Sequence, residues 1–209
     1  MDDLQPHRDT IDHIDRELVR LLSERAQAAL TIGTAKQQQG GPVFVPHRER
    51  QVFDKISRLN PGPLSDRTLI AIWREIMSGC IALEHPITVC HFGKPGSFTH
   101  LAASAKFGDS VDYVAVEDIA TVFSEVEREH ADYGVVPIEN STDGSITDTI
   151  DRFLQTHLRI VNELHLRIRH HLMARCERNQ IKRIYSKYTV FGQCRHWLAA
   201  NLPDRKSVV

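Results

Sequence analysis

Three cations sit where a packed helix would carry apolar residues. Positions 8, 11, 15, 18, 22, 25, 29, 32 and 36 fall on one face of a helix. They bring Arg8, Arg25 and Lys36 into the same stripe as Ile11, Leu18, Leu22, Ala29 and Ile32. A charge facing a packed seam is costly unless it is paired. One such residue reads as a side chain snorkelling at a bundle edge; three on one stripe point to a site for an anion. Arg8 and Arg25 are 17 residues apart, which is about 25 Å of helix. They cannot grip one small molecule from the same helix. Arg25 and Lys36, about 16 Å apart by the same rise, have side chains long enough to converge on one ligand. Arg8 then serves another copy of the site. A long helix pairing antiparallel with its twin places Arg8 of one protomer near Arg25 of its partner, as a two-fold dimer requires. Further along, Arg48 is followed by Glu49, and Cys80 and Glu84 are i, i+4 neighbours on the face of Trp73 and Ile76. A buried Glu84 among cations donates a proton only in its acid form.

A second concentration of polar groups lies in residues 135–145, VVPIENSTDGS. An apolar run meets Pro137 and gives way to Glu139, Asn140, Ser141, Gly144 and Ser145. The plain reading is a strand, a proline stop and a helix start capped by Ser145. The other reading is the lip of a small-molecule site. GKPGSFTH at 93–100 is a loop leading into a helix.

The elements that must position these groups fall into two halves. Arg8–Lys36 is one long helical pattern that Gly40, Gly41 and Pro42 stop. Residues 47–59 are a second helix, with Val52, Ile56 and Leu59 on one side, and Asn60-Pro61-Gly62-Pro63 is a firm break. Ser65 caps a third helix that His85-Pro86 ends. Beyond it the period changes. Strands are expected at Thr88–Phe92, Val111–Val116 and Tyr133–Ile138, and helices at Leu101–Phe107, Ile119–Glu129 and Thr147–Gln155. That alternation implies a parallel sheet. Leu164, Leu166, Ile168, His170 and Leu172 alternate with polar residues as in a further strand, followed by a strand at Ile181–Ser186 and a helix at Phe191–Ala200. The chain divides near residue 86, into 1–86 and 87–209.

Composition narrows the function. A formal net charge of −1 argues against a nucleic-acid binder, which would carry a basic excess. No apolar run approaches the roughly 18–20 residues of a membrane span, and the acidic N-terminus is unlike a secretory signal. Cys80, Cys90, Cys176 and Cys194 are scattered without a C-x-x-C pair and read as free thiols of a reducing cytoplasm. His165, His170 and His171 lack the partners and spacing of a metal site. No metal or cofactor is expected.

These residues carry a resemblance. Arg8, Arg25, Lys36, Arg48-Glu49 and WREIMSGCIALE (73–84) resemble the all-helical chorismate mutase family over residues 4–85. The resemblance implies three helices in an intertwined homodimer joined through the N-terminal helix, with one site arginine from the partner. It implies that Arg8, Arg25, Lys36 and Arg48 grip chorismate, with Glu49 and Cys80 also at the substrate. Lys36 and Glu84 would address the ether oxygen of the breaking bond. Val45 stands where some members have an aspartate, and Cys80 replaces a hydroxyl donor. The residue types suit an intramolecular rearrangement to prephenate, which needs a compact bound conformer and positive charge at that oxygen.

The second half resembles the prephenate dehydratase family in GKPGSFTHLAA (93–103), ADYGVVPIENSTDGSITDTID (131–151) and IYSKYTVFGQCRHWL (184–198). This implies two α/β lobes with prephenate between them, losing CO₂ and water. Asn140, Ser141 and Ser145 would offer donors from one lobe, with Ser97 and Thr99 on the first loop and Glu139 orienting its neighbours. Ser186 and Gln193 would face them from the other lobe. Lys187-Tyr188-Thr189 replaces the usual His-Pro-Gln after Tyr-Ser. The family's threonine segment lies beyond residue 209, so an incomplete second lobe with impaired dehydration is expected. The combined expectation is a bifunctional, cytoplasmic enzyme of phenylalanine biosynthesis. The alternatives are a mutase with a binding or regulatory lobe, or a non-catalytic protein that binds small carboxylates.

Overall fold

The computed structural model describes residues 4–38, 46–141, 144–203 and 206–208. Three helices come first: α1 (Gln5–Gln38), α2 (Pro46–Leu59) and α3 (Asp66–Glu84). The glycine-proline stop after α1, and Val45, lie outside the described residues. Ser65 caps α3 as expected, its side chain accepting from the Thr68 amide. α3 packs on both α1 and α2. The first five turns of α1 lie apart from this contact. Ile11, Ile14, Leu18 and Leu22 there are 40–56% exposed, an apolar face uncovered within one chain.

The second half is built on a three-stranded parallel sheet. Its strands are β1 (Thr88–Phe92), β2 (Asp112–Val116) and β3 (Tyr133–Val135), in the order β2-β1-β3. Helices α4 (Phe98–Phe107) and α5 (Ile119–Glu127) connect them. The central strand is buried on both faces, as parallel sheets require. Val89 faces a cluster with Ile87 and Ala103, and Cys90 faces one with Val122 and Ala131. Helix α4 starts three residues before the expected point, because Ser97 caps it by accepting from the His100 amide at 3.2 Å. Helix α5 stops at Glu127, and Glu129 takes a left-handed φ of 59°.

Pro137 ends the apolar run of β3. A short antiparallel hairpin then forms, pairing β4 (Glu139–Asn140) with β5 (Gly144–Ser145), an element the sequence pattern did not indicate. Helix α6 spans Thr147–Phe153. Its N-cap is Ile146 with no side-chain bond, so Ser145 is not the cap. Thr149, wholly buried, instead ties α6 to the end of the apolar run by donating to the Pro137 carbonyl at 2.7 Å.

The expected strand over 164–172 does not form. Alternation makes a strand only where a neighbour completes the ladder, and no regular element occupies residues 156–177. A 3₁₀ turn (Arg178–Gln180) leads to β6 (Arg183–Tyr185) and α7 (Tyr188–Asn201). Strand β7 (Lys206–Val208) pairs parallel with β6. Among the described residues no helix is long and apolar enough to cross a membrane.

The halves meet along one side of α3. The amides of Asp109 and Ser110 donate to Glu75 Oε2 at 2.9 Å and to Ser78 Oγ at 3.2 Å. Lys106 of α4 forms an ion pair with Glu49 of α2, with side chains only 13% and 9% exposed.

Candidate active sites

Helix periodicity puts Arg25, Gly33 and Lys36 on the side of α1 that meets α3, and Cys80 and Glu84 on the answering side. Arg25 Nη1 lies 3.0 Å from Cys80 Sγ. Lys36 Nζ lies 4.0 Å from Glu84 Oε2, and the Glu84 side chain is only 9% exposed. Gly33 allows this approach: a Cβ there would stand 2.6 Å from Glu84 Cγ. Two cations, a thiol and a carboxylate thus converge across the α1–α3 seam. The other expected members lie elsewhere. Arg8 is exposed near the opposite end of α1. Arg48 is exposed and donates to Gln51 Oε1 on its own helix at 3.2 Å. Glu49 is buried but turned toward Lys106.

In the second half, Ser97 is committed to its helix: besides capping α4, its hydroxyl donates to the Phe92 carbonyl at 3.3 Å. Thr99 is half-buried in the first turn. The β4–β5 hairpin presents Glu139 opposite Ser145 and Asn140 opposite Gly144. Asn140 is half-buried, whereas Glu139, Ser141 and Ser145 are exposed. Ser186, half-buried, precedes α7, and its amide donates to the Val208 carbonyl at 3.1 Å. Gln193 is half-buried on α7, its Oε1 2.7 Å from Nε2 of His170. The His170 ring also meets Phe98, the first residue of α4, edge-on at 5.9 Å.

Beneath the GKPGSFTH loop lies an aromatic stack. His91 is 1% exposed, its ring 4.7 Å from that of His100, which meets Tyr113 at 5.4 Å. His100 Nδ1 accepts from the Gly96 amide at 2.9 Å and so braces the loop. Burial lowers the pKa of His91, opposed by its contact with the Phe92 carbonyl and reinforced by His100. Burial likewise pushes the Tyr113 hydroxyl up to about 12.

Residues 89–209 match the family model described as prephenate dehydratase. The chain belongs to the prephenate dehydratase family. Residues 7–85 match the model described as chorismate mutase type II. Relatives carry both halves. One named bifunctional chorismate mutase/prephenate dehydratase, from Aquifex aeolicus (strain VF5), is 42% identical over 98% of this chain and 58% of its own length. The protein of that name from Neisseria gonorrhoeae (strain ATCC 700825 / FA 1090) is 41% identical over 98% of this chain and 57% of its own length. The one from Escherichia coli (strain K12) is 30% identical over 91% and 54%. The chain therefore spans a little over half the length of these relatives. Among solved structures, a chorismate mutase from Thermus thermophilus is 34% identical over 39% of this chain and 92% of its own, with a TM-score of 0.38. Agreement of both halves with enzyme families does not favour the two alternatives, a regulatory lobe and a non-catalytic binder.

Lys106 and His170 escaped the sequence reading. Nothing in the pattern of α4 distinguishes Lys106 from a solvated lysine. His170 did leave a trace: it occupies an apolar position in the alternation, between Ile168 and Leu172.

Proposed function

We propose that the chain is a bifunctional enzyme of phenylalanine biosynthesis, with a domain boundary near residue 86. The helical domain rearranges chorismate to prephenate, and the α/β domain takes prephenate toward phenylpyruvate, CO₂ and water. The observation that carries the first activity is the convergence of Arg25, Lys36, Cys80 and Glu84 across the α1–α3 seam. Arg25 binds a substrate carboxylate, and Lys36 with Glu84 faces the ether oxygen as it gains negative charge. Arg48 turns from its helical neighbour to the ligand. For the second activity, Asn140, Ser141 and Ser145 on the hairpin and Thr99 near the first loop receive prephenate, and Ser97 shapes that loop as the cap of α4. Glu139 orients that cluster, and Ser186 and Gln193 close on it from the other lobe.

The working unit is a homodimer. A second α1 covers the exposed stripe from Ile11 to Leu22 and brings its Arg8 to the cluster around Arg25. The four free cysteines fit a cytoplasmic protein.

The test is incubation of the protein with chorismate and separation of the products. Prephenate is expected, and Arg25→Ala is expected to lower turnover by about 100-fold or more with unchanged helical circular dichroism. Retained turnover removes Arg25 from the site. Sedimentation at several concentrations checks the dimer, and a monomer throughout rejects it.

A further inference from the structure

Every residue from Glu163 to Gln180 is exposed except His170. One imidazole turns inward from an otherwise solvated segment, and what it meets is specific. Its Nε2 is 2.7 Å from Gln193 Oε1 on α7, and its ring lies edge-on to Phe98 at the start of α4. Phe98 opens α4 just before Thr99, so His170 touches both lobes beside groups already assigned to prephenate.

The chemistry of the contact sets the proton. A carboxamide oxygen only accepts, so Nε2 of His170 carries the hydrogen. That bond then holds the Gln193 carboxamide as it stands, with its oxygen toward the ring. An untethered carboxamide can turn by a half rotation and present oxygen where a carboxylate needs N–H. With its oxygen held by His170, Gln193 keeps its NH₂ as the group left to donate. We infer that His170 is a positioning residue of the dehydratase-type cleft, holding the Gln193 carboxamide with its NH₂ toward the anionic substrate. This rests on the proposal above that the cleft takes prephenate.

The test has two independent readouts on the full chain. Long-range ¹H–¹⁵N spectra at pH 8 report the tautomer of His170. The Nε2–H form is expected, and Gln193→Ala is expected to shift its signals. A His170 ring protonated at Nδ1, or one indifferent to Gln193→Ala, overturns the inference. Calorimetric titration with prephenate supplies the second readout. His170→Phe keeps a ring against Phe98 and deletes the donor; it is expected to weaken prephenate binding by about tenfold or more. His170→Gln restores an N–H and is expected to bind within about threefold of the unmodified protein. In a Gln193→Ala background, His170→Phe is expected to cost nothing further. Equal losses for Phe and Gln mean that the ring only packs, and the inference fails. Wild-type affinity in His170→Phe sinks it too. If the tautomer result holds but the unmodified protein shows no affinity for prephenate, the proposed cleft fails and the assigned role of His170 fails with it.

Discussion

The Lys106–Glu49 pair joins the two halves, and its removal has a calculable consequence. Both side chains are nearly buried, at 13% and 9% exposure. Lys106→Met keeps the aliphatic volume and removes the charge. It leaves the Glu49 carboxylate in a seam shared with Met77, Ile81 and Phe107. Breaking a buried pair from one side costs about 3–5 kcal/mol, since the remaining charge has lost both water and its partner. Arg74 also lines this seam and moderates the loss. The exposed pairs of Arg20 with Glu17 and Glu24 offer an internal contrast: charges held in water add little to stability. Urea unfolding distinguishes the two. With a slope of roughly 2 kcal/mol per molar, Lys106→Met shifts the midpoint down by about 1.5–2.5 M. Arg20→Met, which removes only exposed pairs, shifts it far less. Trp73 on α3 and Trp197 on α7 report the halves separately when each is replaced in turn by phenylalanine. The double variant Glu49→Leu/Lys106→Met recovers most of the loss, because two apolar groups leave no stranded charge. A Lys106→Met midpoint within about 0.5 M of the parent, the range of a surface pair, would refute this account of the seam.

Gly108 has a φ of +77°, and an added Cβ would stand 2.6 Å from Ser78 Cβ. Ser78 is anchored in α3 and cannot swing aside, so Gly108→Ala is expected to cost about 2–4 kcal/mol in urea unfolding, from left-handed backbone and overlap together. Burial lowers the pKa of His91 in the fold, while in the unfolded chain it takes a proton near pH 6.5, about the ordinary histidine value. The unfolded state then binds more protons, so stability falls as pH drops below about 6.5. His91→Phe is expected to flatten that part of the melting-temperature profile, and an unchanged slope assigns it to other groups.

How much of this was legible in the sequence depends on the range of the interaction. The helical periods, the Ser65 cap and the strand–helix alternation that implies a parallel sheet follow from local spacing, and the structure contains them. That Arg25 shares a helix face with Lys36, and Cys80 with Glu84, was also foreseeable from helical spacing; that the two faces meet was decided by packing. The start of α4 was misplaced, since the decision rested on one hydroxyl, Ser97, that could serve a cap or a ligand equally well. The strand over 164–172 failed for a different reason: alternation records a preference, but a ladder needs a neighbour. The β4–β5 hairpin was invisible because two-residue strands carry no period.

By itself, the sequence determined the division into a helical and an α/β half, most of the elements of each, and the face of α1 that Arg25 and Lys36 share. These depend on periodicity and residue chemistry within a few turns of chain. Only the tertiary structure decided that Glu49 faces Lys106 across the seam, that His170 alone turns inward from its segment, and that its imidazole holds Gln193. Those contacts join residues 57 and 23 positions apart. At such separations the partner is chosen by how whole elements pack, which no local pattern encodes.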